Sequence, residues 1–237
     1  MRRLTTMVLA SGLAAGAALA GPGDRKPFER VSLDGLTTET QLAAEPTEGM
    51  NLVWWIPHEF WQVSLAQDPT VGEADRAAMD EALSPYFVIG VVRADISQFG
   101  EFRFHNKSEV ASSMSVSYVG EDGRTVRLEP SQARSGDAVM VLNMLAPMLS
   151  AAMGSMGENF HLYLFKNQGV DGKPIVSAYE AGRLRVDLKR HRSEAGGRID
   201  FQLPLDSLYE PFVCEKCSRE GHISWNYCPW DGTRLKD

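Results

Sequence analysis

Strand-forming runs separated by a few helical segments predict an α+β fold. The expected architecture is a mostly antiparallel sheet carrying two or three packed helices, with a small turn-rich module at the C-terminus. Residues 86–92 (Tyr-Phe-Val-Ile-Gly-Val-Val) form an unbroken apolar run, the pattern of a central strand covered on both faces. Several later stretches alternate apolar and polar residues with period two. Only the regions near 57–83 and 137–153 keep helical character.

In chain order, Asn51-Leu52-Val53-Trp54-Trp55-Ile56 reads as a buried strand, and the two tryptophans are expected to anchor opposite faces of a sheet. Pro57 opens a short helix to about Gln67, because proline is tolerated in a first helical turn. Thr70 with Glu73 matches a capping box, and the helix it would start ends at Ser84-Pro85. Its stripe of Val71, Ala74, Ala78 and Ala82 suggests close packing on a sheet. Phe102 and Phe104, then Met114, Val116 and Tyr118, then Val126 and Leu128 after the turn at Asp122-Gly123, extend an antiparallel meander over 86–129. Residues 137–153 are apolar nearly all round and predict a buried helix, with a kink or break at Pro147. Phe160, Leu162 and Leu164 mark another strand. Leu184, Val186 and Leu188 match Ile199, Phe201 and Leu203 across a loop containing Gly196-Gly197. Tyr209 to Phe212 is a short linker.

The C-terminal residues carry the most specific pattern. Cys214-Glu215-Lys216-Cys217 is followed, after ten residues, by Cys228-Pro229-Trp230-Asp231-Gly232. Two turns of the form Cys-x-x-ligand, held about a dozen residues apart, suit a tetrahedral metal site. This segment, about residues 212–237, resembles the zinc-ribbon family, whose paired knuckles read Cys-x-x-Cys and Cys-Pro-x-Cys-Gly. The resemblance implies a zinc ion held by Cys214, Cys217, Cys228 and, in the position of the family's fourth cysteine, Asp231. His222, five residues past Cys217, is an alternative fourth ligand. Gly221 and Gly232 follow the knuckles, where tight turns need positive φ. Trp225 and Tyr227 can cover a small core beside the metal. The same cysteines also admit a disulfide or redox pairing of Cys214 with Cys217, or a ribbon that keeps its turns without metal.

The N-terminus suggests export. Met1-Arg2-Arg3 is cationic, residues 7–19 are apolar or small, and Ala18-Leu19-Ala20 matches the A-x-A cleavage pattern, so 1–20 read as a secretory signal peptide. The expected organisation is then a partly flexible segment over 21–50, an α+β domain over 51–208 and the ribbon-like module over 209–237. Localisation would be periplasmic or secreted in a bacterium, with no transmembrane segment after cleavage. The formal charge is −7, and an acidic chain is a poor nucleic-acid binder.

Candidate chemistry in the main domain is sparse. His58, Glu59 and His161 are the residues on which a hydrolase could be built, but adjacent helical residues point about 100° apart. Met140, Met144 and Met148 recur every four residues and can be read as core filler or as thioether ligands for Cu(I). Arg183, Arg185, Lys189, Arg190, His191, Arg192 and Arg198 make a basic hairpin, either a solvated strand face or a surface for an anionic partner. There is no glycine-rich phosphate loop and no nucleophile elbow. The sequence therefore points to an exported, non-enzymatic binding or interaction protein whose partner is an unknown protein or envelope component. A thiol/disulfide redox protein is the alternative, and a hydrolase the weaker one.

Overall fold

The computed structural model describes residues 22–44, 49–133, 136–190 and 193–236, and the signal-peptide reading of 1–20 lies outside them. The fold is α+β. Its elements begin α1 (Leu33–Thr40), β1 (Gln41–Ala44), β2 (Gly49–Ile56), α2 (His58–Gln67), α3 (Glu73–Leu83), β3 (Tyr86–Ile96) and β4 (Phe102–Phe104). They continue α4 (Lys107–Ser113), β5 (Met114–Gly120), β6 (Thr125–Leu128), α5 (Asp137–Ala152), β7 (His161–Lys166), β8 (Gly182–Arg190) and β9 (Ser193–Leu203). The C-terminal module contributes β10 (Phe212–Val213) and β11 (Glu220–Gly221).

The strands form two main sheets, antiparallel throughout. In the first, the order is β1-β2-β3, and the far edge of β3 is shared by β4 and β7. The second runs β6-β5-β8-β9. Period-two side-chain direction then sorts the first sheet's residues into two cores. Val53, Trp55, Phe87, Ile89 and Val91 cluster with Val186, Leu188, Ile199 and Phe201 of the second sheet. Trp54, Ile56, Val88 and Val92 cluster instead with Trp61, Leu83, Leu142 and Leu149 from the helices. The layers are thus helix, sheet, sheet. The two tryptophans anchor opposite faces as their adjacency in a strand requires.

Two glycines make this layering possible. A Cβ on Gly90 would lie 2.1 Å from the Phe160 ring, which closes the helical core over β3. One on Gly197 would lie 2.6 Å from Asn51 and 3.2 Å from Ala44, where β9 crosses the first sheet. Gly197 is paired with Leu188 inside the β8–β9 ladder rather than in the expected loop.

Several other expectations need correction. The single meander over 86–129 is divided between two sheets by α4, whose start is fixed by an Asn106–Glu109 capping box. Thr70 does not cap α3, because its amide and hydroxyl both bind Asp68 at 2.8 and 2.6 Å; Gly72 is the cap residue. Ala74 and Ala78 face solvent, and the helix buries Leu83 on its other side, where the larger apolar group gains more. Of the kink or break expected at Pro147, the break does not occur. The proline is exposed, and α5 continues to Ala152. Nor is α5 buried all round: Ala138, Leu142 and Leu149 are buried, whereas Met140, Met144 and Met148 are exposed.

Candidate metal centre

The C-terminal module is attached to the main domain by backbone hydrogen bonds rather than by a large core. Residues Gly23, Lys26 and Glu210 exchange backbone bonds with Glu210, Leu208 and Asp24, so the segment after residue 21 runs beside the chain that enters the module. A carboxylate relay follows. Glu39 of α1 accepts the amides of Asp206 and Ser207 at 2.6 and 2.8 Å, and Asp206 accepts the Ile223 amide at 2.6 Å. Arg25 stacks over Tyr179, with 3.9 Å from guanidinium carbon to ring centre.

Within the module, β10 and β11 pair Phe212 with Gly221 and Val213 with Glu220. Two knuckles of equivalent construction accompany this pair, the first joining β10 to β11 and the second following β11. In the first, the Cys214 amide donates to the Arg219 carbonyl at 2.9 Å and the Ser218 amide to the Cys214 carbonyl at 2.8 Å. In the second, Cys228 donates to Thr233 at 2.7 Å and Gly232 to Cys228 at 2.9 Å. The residue closing each turn is left-handed, with φ 57° at Ser218 and 75° at Gly232. The expectation of positive φ therefore holds at Gly232, but Ser218 takes the role assigned to Gly221. Gly221 serves a different need: a Cβ there would lie 2.7 Å from Leu235.

The equivalence brings Cys214, Cys217, Cys228 and Asp231 together, with one ligand atom from each lying within 4.8 Å of all the others. The Cys217 and Cys228 sulfurs are 3.6 Å apart, and the Cys214 thiol is 3.4 Å from Asp231 Oδ2. Cys214 and Cys228 are buried. The backbone amides that converge on this centre set its charge preferences. The Cys217 amide, together with that of Lys216, lowers the Cys214 thiol's pKa. The Thr233 amide holds the Asp231 carboxyl well below the usual carboxylate range. Cys217 is opposed: the Arg219 amide pulls it down, but burial and its neighbours Cys214, Cys228 and Asp231 push it up to about 12. Three sulfurs and one carboxylate are therefore positioned to hold a metal ion. The His222 ring is engaged elsewhere, its Nδ1 2.7 Å from Ser224 Oγ and accepting the Ser224 amide.

The main-domain candidates do not converge. His58 Nε2 lies 2.9 Å from the Asp80 carboxylate. Glu59 sits near Arg25 and Tyr179, and burial raises its carboxyl pKa. His161, opposite Val91 in β7, bonds the His105 carbonyl at 2.9 Å. Three arginines of the basic hairpin are neutralised within the sheet. Arg185 and Asp200 are cross-strand partners joined at 2.8 and 3.2 Å, Arg183 reaches the same carboxylate at 3.4 Å, and Arg198 binds Asp187 at 2.8 Å. Lys189 is exposed; His191 and Arg192 lie outside the described residues, as does the Arg190 side chain. Sequence reasoning missed the counter-charges because Asp187 and Asp200 become neighbours of those arginines only once the β8–β9 register is set.

Comparison with family profiles, curated proteins and solved structures returns no match.

Proposed function

We propose that this is an exported, non-enzymatic binding or interaction protein whose C-terminal ribbon is stiffened by a structural zinc ion held by Cys214, Cys217, Cys228 and Asp231. The support is dimensional. A tetrahedral zinc with Zn–S bonds of about 2.3 Å and a Zn–O bond of about 2.0–2.2 Å needs S···S edges near 3.8 Å and S···O edges near 3.5–3.7 Å. One S···S edge here, Cys217–Cys228, is 3.6 Å and one S···O edge, Cys214–Asp231, is 3.4 Å, with the four ligand atoms all within 4.8 Å of one another. Four protein ligands close the shell and leave no position for substrate, the mark of a structural site. Because the four ligands converge only in the folded chain, the metal's binding energy stabilises the fold. Export and an envelope or protein partner rest on the leader-like N-terminus and the acidic charge of −7.

Native mass spectrometry of the full chain tests the reading. One zinc per chain is expected, and it is lost in Cys228→Ser. A chain that carries no zinc after purification with zinc present, or a Cys228→Ser variant that keeps it, overturns the assignment.

A second reading is favoured by one observation. The Cys217 and Cys228 sulfurs, a pairing other than the Cys214–Cys217 one of the sequence reading, lie 3.6 Å apart, and Cys214 faces Asp231. In a thiol/disulfide protein, Cys217 and Cys228 would form the bond and leave Cys214 as the thiol. The same spectrum reports this as a metal-free chain lighter by two protons, with the linkage mapped by digestion.

A further inference from the structure

We propose that the exposed methionine stripe of α5 is a separate binding site for a soft monovalent metal ion, Cu(I) or Ag(I). The inference is independent of the ribbon's metal. Met140, Met144 and Met148 are 66%, 60% and 68% exposed. Four residues advance an α-helix by about 6 Å and turn it by about 40° beyond a full circle, so the three side chains rise in one shallow stripe about 12 Å long. Methionine has three rotatable bonds, which lets the outer two sulfurs lean toward the one on Met144.

Packing does not account for these methionines. The buried side of α5 is already filled by Ala138, Leu142 and Leu149. Met153, just past the helix end, shows how a core methionine is used here: it is 6% exposed, and its sulfur accepts a hydrogen bond from Gln41 Nε2 at 3.3 Å. No such partner meets the other three sulfurs among the described residues. The helix carries no lysine or arginine, and Asp137 is its one charged residue, so nothing on α5 repels a cation.

The residue type selects the ion. Thioethers are soft donors that favour Cu(I) and its redox-inert analogue Ag(I) over Zn(II), Mg(II) or Ca(II). They have no proton to lose, so binding here releases none, whereas silver at the zinc-loaded ribbon displaces zinc.

The test is a titration of the full, zinc-supplemented chain, labelled at the methionine methyl carbons, with silver nitrate in chloride-free buffer. The ribbon's thiols take the first equivalents. After them, the methyl signals of Met140, Met144 and Met148 should move together along one saturation curve, with no proton release. Each signal is assigned by its own Met→Leu variant. Met144→Leu should weaken silver binding at the remaining pair by about tenfold or more, since even an indirect supporting group contributes that much at a metal site. The proposal is overturned if the three methyls stay still or titrate separately. It is also overturned if Met144→Leu leaves the other two curves unchanged.

Discussion

Gly90 holds its place in β3 by lacking a side chain, since the Phe160 ring occupies the space a Cβ would take. Gly90→Ala must push the ring out of a core where Phe160 is buried. Overpacking of this kind costs about 1–3 kcal/mol, to be read as a lower urea midpoint with an unchanged slope. Glu59 makes a second prediction at this scale. Burial raises its carboxyl pKa, partly offset by its own backbone amide, His58 and Arg25. The folded chain therefore holds the proton more tightly than the unfolded chain does. The resulting stability is fully present below the unfolded carboxyl pKa and is lost as pH rises through the folded one. Glu59→Gln has no such proton, so its melting temperature should decline less than the parent's as pH rises through that window. Parallel melting curves across that window would contradict the assignment.

Among elements, the connection between α1 and the ribbon is the one to test. The chain Glu39–Asp206–Ile223 transmits the position of α1 to the module through hydrogen bonds of 2.6 to 2.8 Å. Asp206→Ala leaves the Ile223 amide without its acceptor, at a local cost of about 1–3 kcal/mol. Amide exchange should quicken at Ile223 and through β11 while β3 keeps its protection; uniform acceleration would mean that Asp206 supports the whole fold. How far each element was legible in the sequence follows from what holds it. β3, β7, β8 and β9 announce themselves because burial on a sheet face leaves an apolar pattern. The α1 helix does not: Leu-Asp-Gly-Leu-Thr-Thr-Glu-Thr has few apolar positions and poor helix formers, and it is held by the Ser32 cap and by Glu39's distant partners. The α4 capping box, Asn106 with Glu109, was present in the sequence but masked by the stronger strand pattern on either side. The exposure of the methionines could not be read, because an all-apolar helix does not say which side the sheet will cover.

At the scale of the molecule, two cores share one sheet, and the ribbon lies outside both. Its Phe212, Ile223 and cysteines belong to neither cluster. A module this small cannot bury enough apolar surface to fold firmly alone, which is why a metal or disulfide is expected to staple it. The four candidate ligands were legible because knuckle spacing is local, and the convergence of Asp231 with the cysteines follows from the matched turns at Ser218 and Gly232. The pairing within the basic hairpin was not legible: Arg183, Arg185 and Arg198 looked available but are paired with Asp187 and Asp200. Among the described residues no helix is long and apolar enough to cross a membrane. The measurement that bears most directly on the central claim is zinc-edge X-ray absorption of the full chain. It should show one zinc with three sulfurs at about 2.3 Å and one oxygen at about 2.0–2.2 Å. Outer-shell scattering from an imidazole ring would transfer the role of Asp231 to His222, and a chain without bound metal would contradict the structural zinc site.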